Sequence, residues 1–232
     1  MEKKENFQIV PYEIEKHGSQ VQALYDKYIV PESYKRMGIK AEERHKFCHI
    51  EDVLTVNAVF DEKFSGYSFV VVDSSGKVRG AQLAYLLNKA TLKKDFVDVN
   101  EQIVKNKQHA EYVLRYCQHR HEVSKILYNL YEEYDFDRAV YLESTFLDKG
   151  ARGNGLNLQT TEALAKFSNE VILVEGQIPV NVYVKHPVYA SIPIGQQTFH
   201  PGFKLVNRIL SYDLYVVPIE IRLPSNIKLS KL

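Results

Sequence analysis

Hydrophobic residues recur along this chain with two periods, one typical of helices and one typical of strands. In the segment 15–28 apolar side chains return every three or four residues, which predicts a helix after a short β-compatible stretch at 7–12. A second, interrupted helix is predicted after Pro31. The same helical spacing runs over 111–134 and predicts a long amphipathic helix there.

Residues 67–87 carry the pattern of a β-hairpin. The stretch 67–73 is rich in β-branched and aromatic residues, the next four residues are Ser-Ser-Gly-Lys, and an apolar stretch follows over 78–87. β-branched and aromatic residues favour strands, whereas serine and glycine favour turns. The sequence therefore predicts two antiparallel strands joined at 74–77.

The second half of the chain alternates strands and helices around one glycine-rich turn. A strand is predicted over 138–147 and a helix over 158–169, joined by a turn at 152–157. The helix is expected to turn four side chains inward, namely Leu158, Thr161, Leu164 and Ala165. Further elements are predicted downstream: a strand at 180–184, a broken helix at 189–199, and strands at 204–210 and 212–221. This order indicates an α/β fold in which helices cover both faces of a mixed sheet.

Composition restricts the classes of function. The 232 residues are 45% hydrophobic and contain no repeat and no long linker, so a single domain over 1–232 is predicted. Thirty basic and 29 acidic side chains give a net charge of +1, which argues against nucleic acid as a partner. The two cysteines, Cys48 and Cys117, lie far apart, which fits a reducing compartment and a cytoplasmic location.

Membrane and metal partners are not predicted either. No apolar run approaches the roughly 20 residues that a membrane-spanning helix needs, and the charged N-terminus leads into no secretory signal pattern. The tail at 224–232 is short and polar-basic. His45 and His49 would share a helix face, but no third ligand is evident, so no metal site is predicted.

The turn Arg152-Gly153-Asn154-Gly155 has the chemistry of an anion site. It lies where a strand is followed by a helix, and the first N–H groups of a helix have no intrahelical acceptor. Glycines permit left-handed backbone angles and close approach of a ligand, while the helix dipole and Arg152 supply positive charge. A diphosphate would fit. Glycine-rich turns are also common as plain structural turns, and the turn alone leaves that alternative open.

These residues resemble the acetyl-CoA signature of the GNAT N-acetyltransferases, Arg/Gln-x-x-Gly-x-Gly/Ala. Arg152 and Gly155 match it, and Asn157 stands in place of the final small residue. Within that superfamily the chain is most similar to the invertebrate arylalkylamine, or dopamine-type, N-acetyltransferases, whose long insertion before the fourth strand corresponds to about 88–137. The resemblance implies the GNAT acyl-CoA N-acyltransferase fold, with a mixed, mostly antiparallel sheet and helices on both faces.

The resemblance also implies an activity and a cosubstrate. It implies transfer of an acetyl group from acetyl-CoA to the primary amine of a small molecule such as an arylalkylamine, by direct attack in a ternary complex, in a monomer or homodimer. The pantetheine arm would contact the main chain of Phe146 and Leu147. The pyrophosphate would be bound by six consecutive residues: Arg152, Gly153, Asn154, Gly155, Leu156 and Asn157.

Amine acetylation needs a group that accepts a proton from the ammonium. Glu143 lies nine residues before Arg152 on the predicted strand, and Tyr141 shares its face by strand alternation. His186 is a further candidate as a base or acceptor-site residue. The alternatives are a salt-bridged strand carboxylate for Glu143 and a surface histidine for His186.

Two further alternatives remain open at this stage. Tyr34, Tyr85 and Tyr189 are candidates for an aromatic-amine pocket, although packing in the core is the ordinary role of buried tyrosines. The chain as a whole could also be a catalytically silent module that keeps the GNAT fold and binds CoA without turnover. A protein-lysine acetyltransferase is disfavoured, because nothing in the sequence suggests a peptide groove.

Overall fold

The computed structural model describes residues 6–36, 39–46, 62–90, 92, 110–176, 178–179, 192–198, 202–211 and 215–224. Their contacts group into two compact units, and each is described by itself. The first unit comprises Met1–Ser33, His45–Leu86 and Val140–Asn169, and the second comprises Tyr34–Arg44, Leu87–Ala139 and Glu170–Leu232. The single domain stays a prediction.

Strands and helices alternate along the described residues much as the hydrophobic pattern predicts. The helices are α1 (Ile14–Tyr28), α2 (Val30–Arg36), α3 (Ala110–Tyr134) and α4 (Leu156–Phe167). The strands are β1 (Phe7–Pro11), β2 (Phe69–Asp73), β3 (Val78–Asn88), β4 (Arg138–Leu147), β5 (Val171–Glu175), β6 (Ile178–Pro179), β7 (Lys204–Ser211) and β8 (Tyr215–Arg222). Short 3₁₀ turns lie at Ala41–Lys46, Glu62–Phe64 and Lys149–Ala151.

The sheet of the first unit has the strand order β1, β2, β3, β4. β1 pairs antiparallel with β2, and β2 pairs antiparallel with β3, so the predicted hairpin is confirmed. Its turn is closed by the Asp73 N–H, which donates to the Lys77 carbonyl at 3.0 Å. Asp73 and Gly76 suit this turn, because one accepts local hydrogen bonds and the other adopts a φ of 81°.

A hydrophobic cluster of the first unit lies directly beneath the glycine-rich turn. Val71, Leu147, Ala151 and Leu156 are buried together, and Phe7 and Ile9 pack against them. Helix α4 contacts β1 and β2 through this layer. Burial of these apolar side chains therefore fixes where β4 ends and where α4 begins.

In the second unit, β8 is the central strand. β7 pairs antiparallel with one edge of β8, while β5 and β6 pair antiparallel with its other edge. Val217, Ile219 and Ile221 of β8 are buried. Helix α3 belongs to this unit and buries Tyr131, whose hydroxyl donates to the Leu87 carbonyl at 2.7 Å.

The strand that follows α4 differs from the one predicted. The structure forms it at Val171–Glu175, and the predicted strand at 180–184 lies outside the described residues. Val171, Ile172, Leu173 and Val174 are all buried, so this strand lacks the alternation that marks a half-exposed strand. The predicted broken helix is also wrong where it is described, because 192–198 forms turns and an isolated bridge from Gln197 to Lys204.

Helix α4 begins two residues earlier than predicted, and its inward face changes accordingly. Leu158 is 38% exposed, so its expected burial is wrong. Leu156 takes the buried position instead, while Thr161 and Leu164 are buried as predicted. The early start follows from Gly155, whose left-handed backbone ends the turn and serves as the N-cap.

We predict that Gly80→Ala destabilises the first unit. A Cβ on Gly80 would lie 2.7 Å from the Phe146 carbonyl oxygen and would also overlap the Leu147 side chain. Overpacking of this kind costs about 1 to 3 kcal/mol, which urea unfolding will measure. Lys77→Ala, at an exposed position of the preceding turn, is the control. Equal stability of the two variants would contradict the close packing of β3 on β4.

Candidate functional site

The turn between β4 and α4 has two glycines in the left-handed region. Gly153 has a φ of 80° and Gly155 a φ of 68°. Other residues rarely adopt these angles, since a Cβ then approaches the neighbouring carbonyl. A Cβ on Gly153 would meet nothing within 4 Å, and one on Gly155 would meet only Gln159 Nε2 at 3.8 Å. The backbone angle rather than lack of space within the protein therefore calls for glycine here.

The N-terminus of α4 is open. Gly155 is its N-cap residue and offers no side-chain acceptor, and the first backbone hydrogen bond runs from the Gln159 N–H to the Gly155 carbonyl at 3.1 Å. The N–H groups of 156–158 consequently have no acceptor within the helix. The helix dipole adds about half a positive charge at this end. Amides and dipole together favour a bound anion.

Arg152 is held beside this helix end by two contacts. Its Nε donates to the Leu147 carbonyl at 3.0 Å, and its guanidinium carbon lies 4.9 Å from the centroid of the Tyr28 ring. The residue is otherwise exposed. A guanidinium fixed in this way loses little freedom when it pairs with a phosphate oxygen.

Hydrogen bonds within the turn hold its shape. Asn154 Nδ2 donates to the carbonyls of Ala151 at 3.2 Å and Arg152 at 3.4 Å, and Gln159 Nε2 donates to the Asn154 carbonyl at 3.2 Å. Asn157 is exposed, and its carbonyl accepts from the hydroxyls of Thr160 and Thr161. Asn154 therefore acts as a brace for the turn.

Phe146 and Leu147 present side chains to the core. Phe146 packs edge-on against Tyr25, with ring centroids 5.8 Å apart, and Leu147 belongs to the cluster beneath the turn. Their side chains are therefore not available to a ligand, and the main-chain contacts of these two residues with pantetheine stay a prediction. The Leu147 carbonyl already accepts from Arg152.

Asp148 anchors the turn and was missed at the sequence level. It accepts a 2.6 Å hydrogen bond from the Tyr28 hydroxyl, and its Oδ1 lies 3.4 Å from Lys27 Nζ. Its other oxygen lies 3.5 Å from an Arg79 nitrogen, and the Lys149 N–H donates to the carboxylate at 2.9 Å. The Tyr28 hydrogen bond, supported by Lys149 and Lys27, lowers the pKa of Asp148 to about 2. Its place before a 3₁₀ turn is a capping signal that the sequence carries.

A second missed feature braces the first turn of α4 from below. Gln82 on β3 is fully buried, and its Nε2 donates to the Thr161 hydroxyl at 2.9 Å. That hydroxyl donates in turn to the Asn157 carbonyl at 3.0 Å. This relay links the hairpin to the helix end, which fixes the direction of its open N–H groups.

Glu143 and Tyr141 lie on the part of β4 that precedes the turn. Glu143 Oε2 is 4.0 Å from Lys63 Nζ, so the salt-bridge alternative describes a contact that exists. Tyr141 is buried, and its ring meets that of Tyr85 edge-on at 5.6 Å. Because Lys63 Nζ also lies 4.6 Å from the Tyr85 ring centroid, the two β4 residues share surroundings, as strand alternation predicts.

The remaining candidates are only partly described. His186 and Tyr189 lie outside the described residues. Tyr34 is buried in the second unit and Tyr85 in the first. The second unit also holds a buried pair that the sequence did not suggest, in which His119 Nε2 lies 3.0 Å from Glu175 Oε1.

The described residues contain neither a metal-binding cluster nor a helix able to span a membrane. Across the ranges described above, no group of three or more histidine, cysteine, aspartate or glutamate residues is placed to bind a metal ion. Within the same ranges, no helix has both the length and the apolar character needed to cross a membrane.

Comparisons with known proteins identify the fold. No family model matches the sequence, and no curated protein matches it. Among solved structures, 47 chains match. The polyamine N-acetyltransferase of Drosophila melanogaster matches with a TM-score of 0.59 at 11% identity, over 93% of this chain and 99% of that one. Arylalkylamine N-acetyltransferase 2 of Aedes aegypti matches with a TM-score of 0.57 at 13% identity, over 94% of this chain and 99% of that one.

A mosquito arylalkylamine N-acetyltransferase-like 5b structure gives a TM-score of 0.55 at 15% identity, over 94% of this chain and 100% of that one. These matches cover nearly the whole chain, and the proteins share the GNAT acyltransferase architecture. The chain therefore has the GNAT fold, with helices packed on a mixed, mostly antiparallel sheet, and the resemblance seen in the sequence is confirmed at the level of the fold.

We predict that Asp148→Asn lowers the free energy of unfolding at pH 7 by about 0.5 to 1 kcal/mol, the range of exposed ion pairs. Because the fold lowers the pKa of Asp148 from 3.8 to about 2, the ionised form stabilises the native state above about pH 4. This contribution is lost as the pH falls through about 2.

Urea unfolding at a series of pH values will test this. The difference between the wild type and Asp148→Asn should shrink between about pH 4 and pH 2. Asp26→Asn, which removes an exposed carboxylate that accepts from Gln22, is the control. A difference that stays constant with pH would contradict the assigned role of Asp148.

Proposed function

We propose that this chain is an acetyl-CoA-dependent N-acetyltransferase that acetylates the primary amine of a small molecule such as an arylalkylamine. One observation carries the proposal. Gly153 and Gly155 adopt left-handed angles at the open N-terminus of α4, directly after β4, in a chain with the GNAT fold. The matched structures include a polyamine N-acetyltransferase and arylalkylamine N-acetyltransferases, which supports an amine as the acceptor.

In the proposed complex, acetyl-CoA is a cosubstrate bound mainly by backbone. The N–H groups of 153–157 would contact the pyrophosphate, and Arg152 would add a charge-assisted hydrogen bond. The main chain of Phe146 and Leu147 would line the pantetheine arm. A strand rises about 3.3 Å per residue, so Glu143 stands about 13 Å before Leu147 along β4.

The proposed chemistry is a direct transfer. The substrate ammonium gives a proton to Glu143, and the free amine nitrogen attacks the thioester carbonyl carbon. A C–N bond forms, the C–S bond breaks, and CoA leaves as the thiolate, which takes the second proton that the nitrogen loses in becoming an amide. Tyr141, on the same face of β4, and His186 complete the proposed catalytic set.

We also propose that the chain acts as one cytoplasmic domain, as a monomer or homodimer. Two cysteines in 232 residues and a net charge of +1 support this and give no reason to expect a nucleic acid partner.

A silent CoA-binding module is the second candidate, and one observation favours it. The Lys63 ammonium already lies beside Glu143, where a substrate amine would have to approach. Assays of CoA thiol release with a panel of primary amines separate the two candidates. Saturable CoA binding with no release across the panel would favour the silent module.

We predict that Gly153→Ala weakens CoA binding about tenfold by calorimetry, because loss of one or two backbone contacts to a charged group costs about 1.4 kcal/mol or more. Gly76→Ala is a matched control, since Gly76 has a φ of 81° and Gly153 a φ of 80°. A Cβ at either position meets nothing within 4 Å. The two variants should therefore lose the same stability, about 1 to 2 kcal/mol.

Only the variant in the α4 turn should lose affinity for CoA. Equal CoA affinity of Gly153→Ala and Gly76→Ala would show that the turn between β4 and α4 does not bind the pyrophosphate.

We predict that Glu143→Gln lowers kcat about a hundredfold or more, the usual effect of removing a general base, and leaves CoA affinity unchanged. The acidic limb of the pH-rate profile should disappear with the carboxylate. Glu62→Gln, at an exposed position beside Lys63, is the control and should keep both the wild-type kcat and the acidic limb of the profile. A pH-rate profile that Glu143→Gln leaves unchanged would exclude Glu143 as the base.

A further inference from the structure

An aromatic cluster in the first unit lies against one lysine, Lys63. Phe64 is fully buried, and Tyr85 and Tyr141 are 8% and 2% exposed. The Phe64 and Tyr85 rings meet edge-on at 5.5 Å, and the Tyr85 and Tyr141 rings at 5.6 Å. Three packed rings of this kind present π faces in fixed positions, and such faces attract cations.

The Lys63 ammonium occupies this cluster. Its Nζ lies 4.8 Å from the Phe64 centroid and 4.6 Å from the Tyr85 centroid, within the roughly 6 Å range of a cation–π contact. The side chain remains 33% exposed. The cation is therefore held by ring faces on the inside and stays open to solvent on the outside.

Glu143 also lies beside this cation, but the pair is loose. Its Oε2 lies 4.0 Å from Lys63 Nζ, beyond the roughly 3.2 Å limit of a hydrogen bond. Oε2 is buried, and among the described residues no group donates a hydrogen bond to it. A buried carboxylate oxygen without a donor is costly. An ammonium about 1 Å closer would satisfy it.

Lys89 forms a closer lysine–carboxylate pair, with Glu132. Its Nζ lies 2.5 Å from Glu132 Oε1 and 5.7 Å from the Tyr128 ring centroid. Both lysines combine a carboxylate with an aromatic ring, but only the Lys63 pair leaves the carboxylate oxygen without a hydrogen bond.

We propose that Lys63 is a displaceable placeholder in a subsite for the ammonium group of the acceptor amine, formed by Glu143 and the rings of Phe64 and Tyr85. This rests on the proposed function and specifies its substrate class. Because the group in the subsite is a primary ammonium on an unbranched alkyl stem, the substrate it fits is a primary alkylammonium. Displacement puts the substrate N–H against Glu143 Oε2, the oxygen that would take its proton.

The test uses n-butylamine, which reproduces the alkyl stem and ammonium of the lysine side chain, and n-butanol as its neutral counterpart. Calorimetry measures binding with and without saturating CoA, which allows no turnover. Removing an internal competitor raises apparent affinity by the reciprocal of the fraction of time for which the site was free. A lysine that occupies the subsite about 80 to 90% of the time therefore predicts that Lys63→Met binds butylammonium about fivefold to tenfold tighter.

Three variants give the matched comparison. Lys89→Met removes a similar lysine and should leave butylammonium affinity unchanged. Lys63→Arg keeps a cation in the subsite and should bind like the wild type. Glu143→Gln should bind about tenfold more weakly, through loss of a charge-assisted hydrogen bond. Neither the wild type nor Lys63→Met should bind butanol.

An NMR measurement reports directly on displacement of the Lys63 side chain. In protein labelled with ¹³C-lysine, the ε-methylene signal of Lys63 should be shifted by the two neighbouring rings, and it is assigned by its absence from Lys63→Met. Butylamine should move this signal towards the position of solvent-exposed lysines, while the Lys89 signal stays in place.

The outcomes separate this inference from the proposed function. Equal butylammonium affinity of the wild type and Lys63→Met, or a Lys63 signal that butylamine does not move, overturns the placeholder. If CoA binds and butylamine binds to neither protein, the placeholder is overturned while the CoA site stands. If CoA does not bind, the proposed function fails, and the titrations without CoA still decide on the subsite.

Discussion

The geometry of the candidate site depends on how β4 ends. Asp148 follows the last residue of β4, and its carboxylate joins the end of α1 to the hairpin through Tyr28, Lys27 and Arg79. It also caps the 3₁₀ turn that leads to the glycines. Lys27 and Arg79 offset the charge of Asp148, and Arg152 adds a positive charge at the turn. The carboxylate therefore orders the helix end without opposing an anion there. The lowered pKa of Asp148 is the signature of this arrangement.

A site built mainly from backbone explains why the fold is recognisable while the sequence is not. Solved GNAT structures match nearly the whole chain at 11 to 15% identity, and no family model matches it. The open N–H groups that every helix end has are positioned in this chain by two left-handed glycines and a buried cluster beneath them, and many sequences can supply both. Within the turn between β4 and α4, Gly153 and Gly155 are tied to their residue type by backbone conformation.

The sequence predicted the elements whose signals are local. The hairpin, the long helix α3 and β4 follow from periodicity and turn chemistry, and the left-handed glycines follow from their place between a strand and a helix. β5 was not predicted, because four consecutive buried residues carry no alternation. The predicted start of helix α4 is two residues too late, because Leu156 is the buried residue of its first turn, whereas Leu158, an equally apolar residue, is exposed.

Long-range pairs could not be predicted, since no local pattern reports them. Gln82 reaches Thr161 across 79 positions, and Tyr28 reaches Asp148 across 120. Glu143 could be chosen as a candidate from its offset to the turn, but its partner Lys63 could not. Partners at such separations are fixed by the topology of the sheet, which the sequence indicates only in outline.

The turn proposed to bind CoA and the subsite proposed to bind the amine make different demands on the protein. The backbone of the turn is held by hydrogen bonds of Asn154 and Gln159 whether or not a ligand is bound, and its open N–H groups carry no net charge. Keeping them in place therefore costs little. A buried carboxylate without a counter-charge is costly, and an intramolecular ammonium lowers that cost in the absence of substrate. The same ammonium competes with any amine that binds, so its pair with Glu143 must be weak. A separation of 4.0 Å with cation–π support meets both demands, because it neutralises the carboxylate while leaving its best hydrogen bond to the substrate.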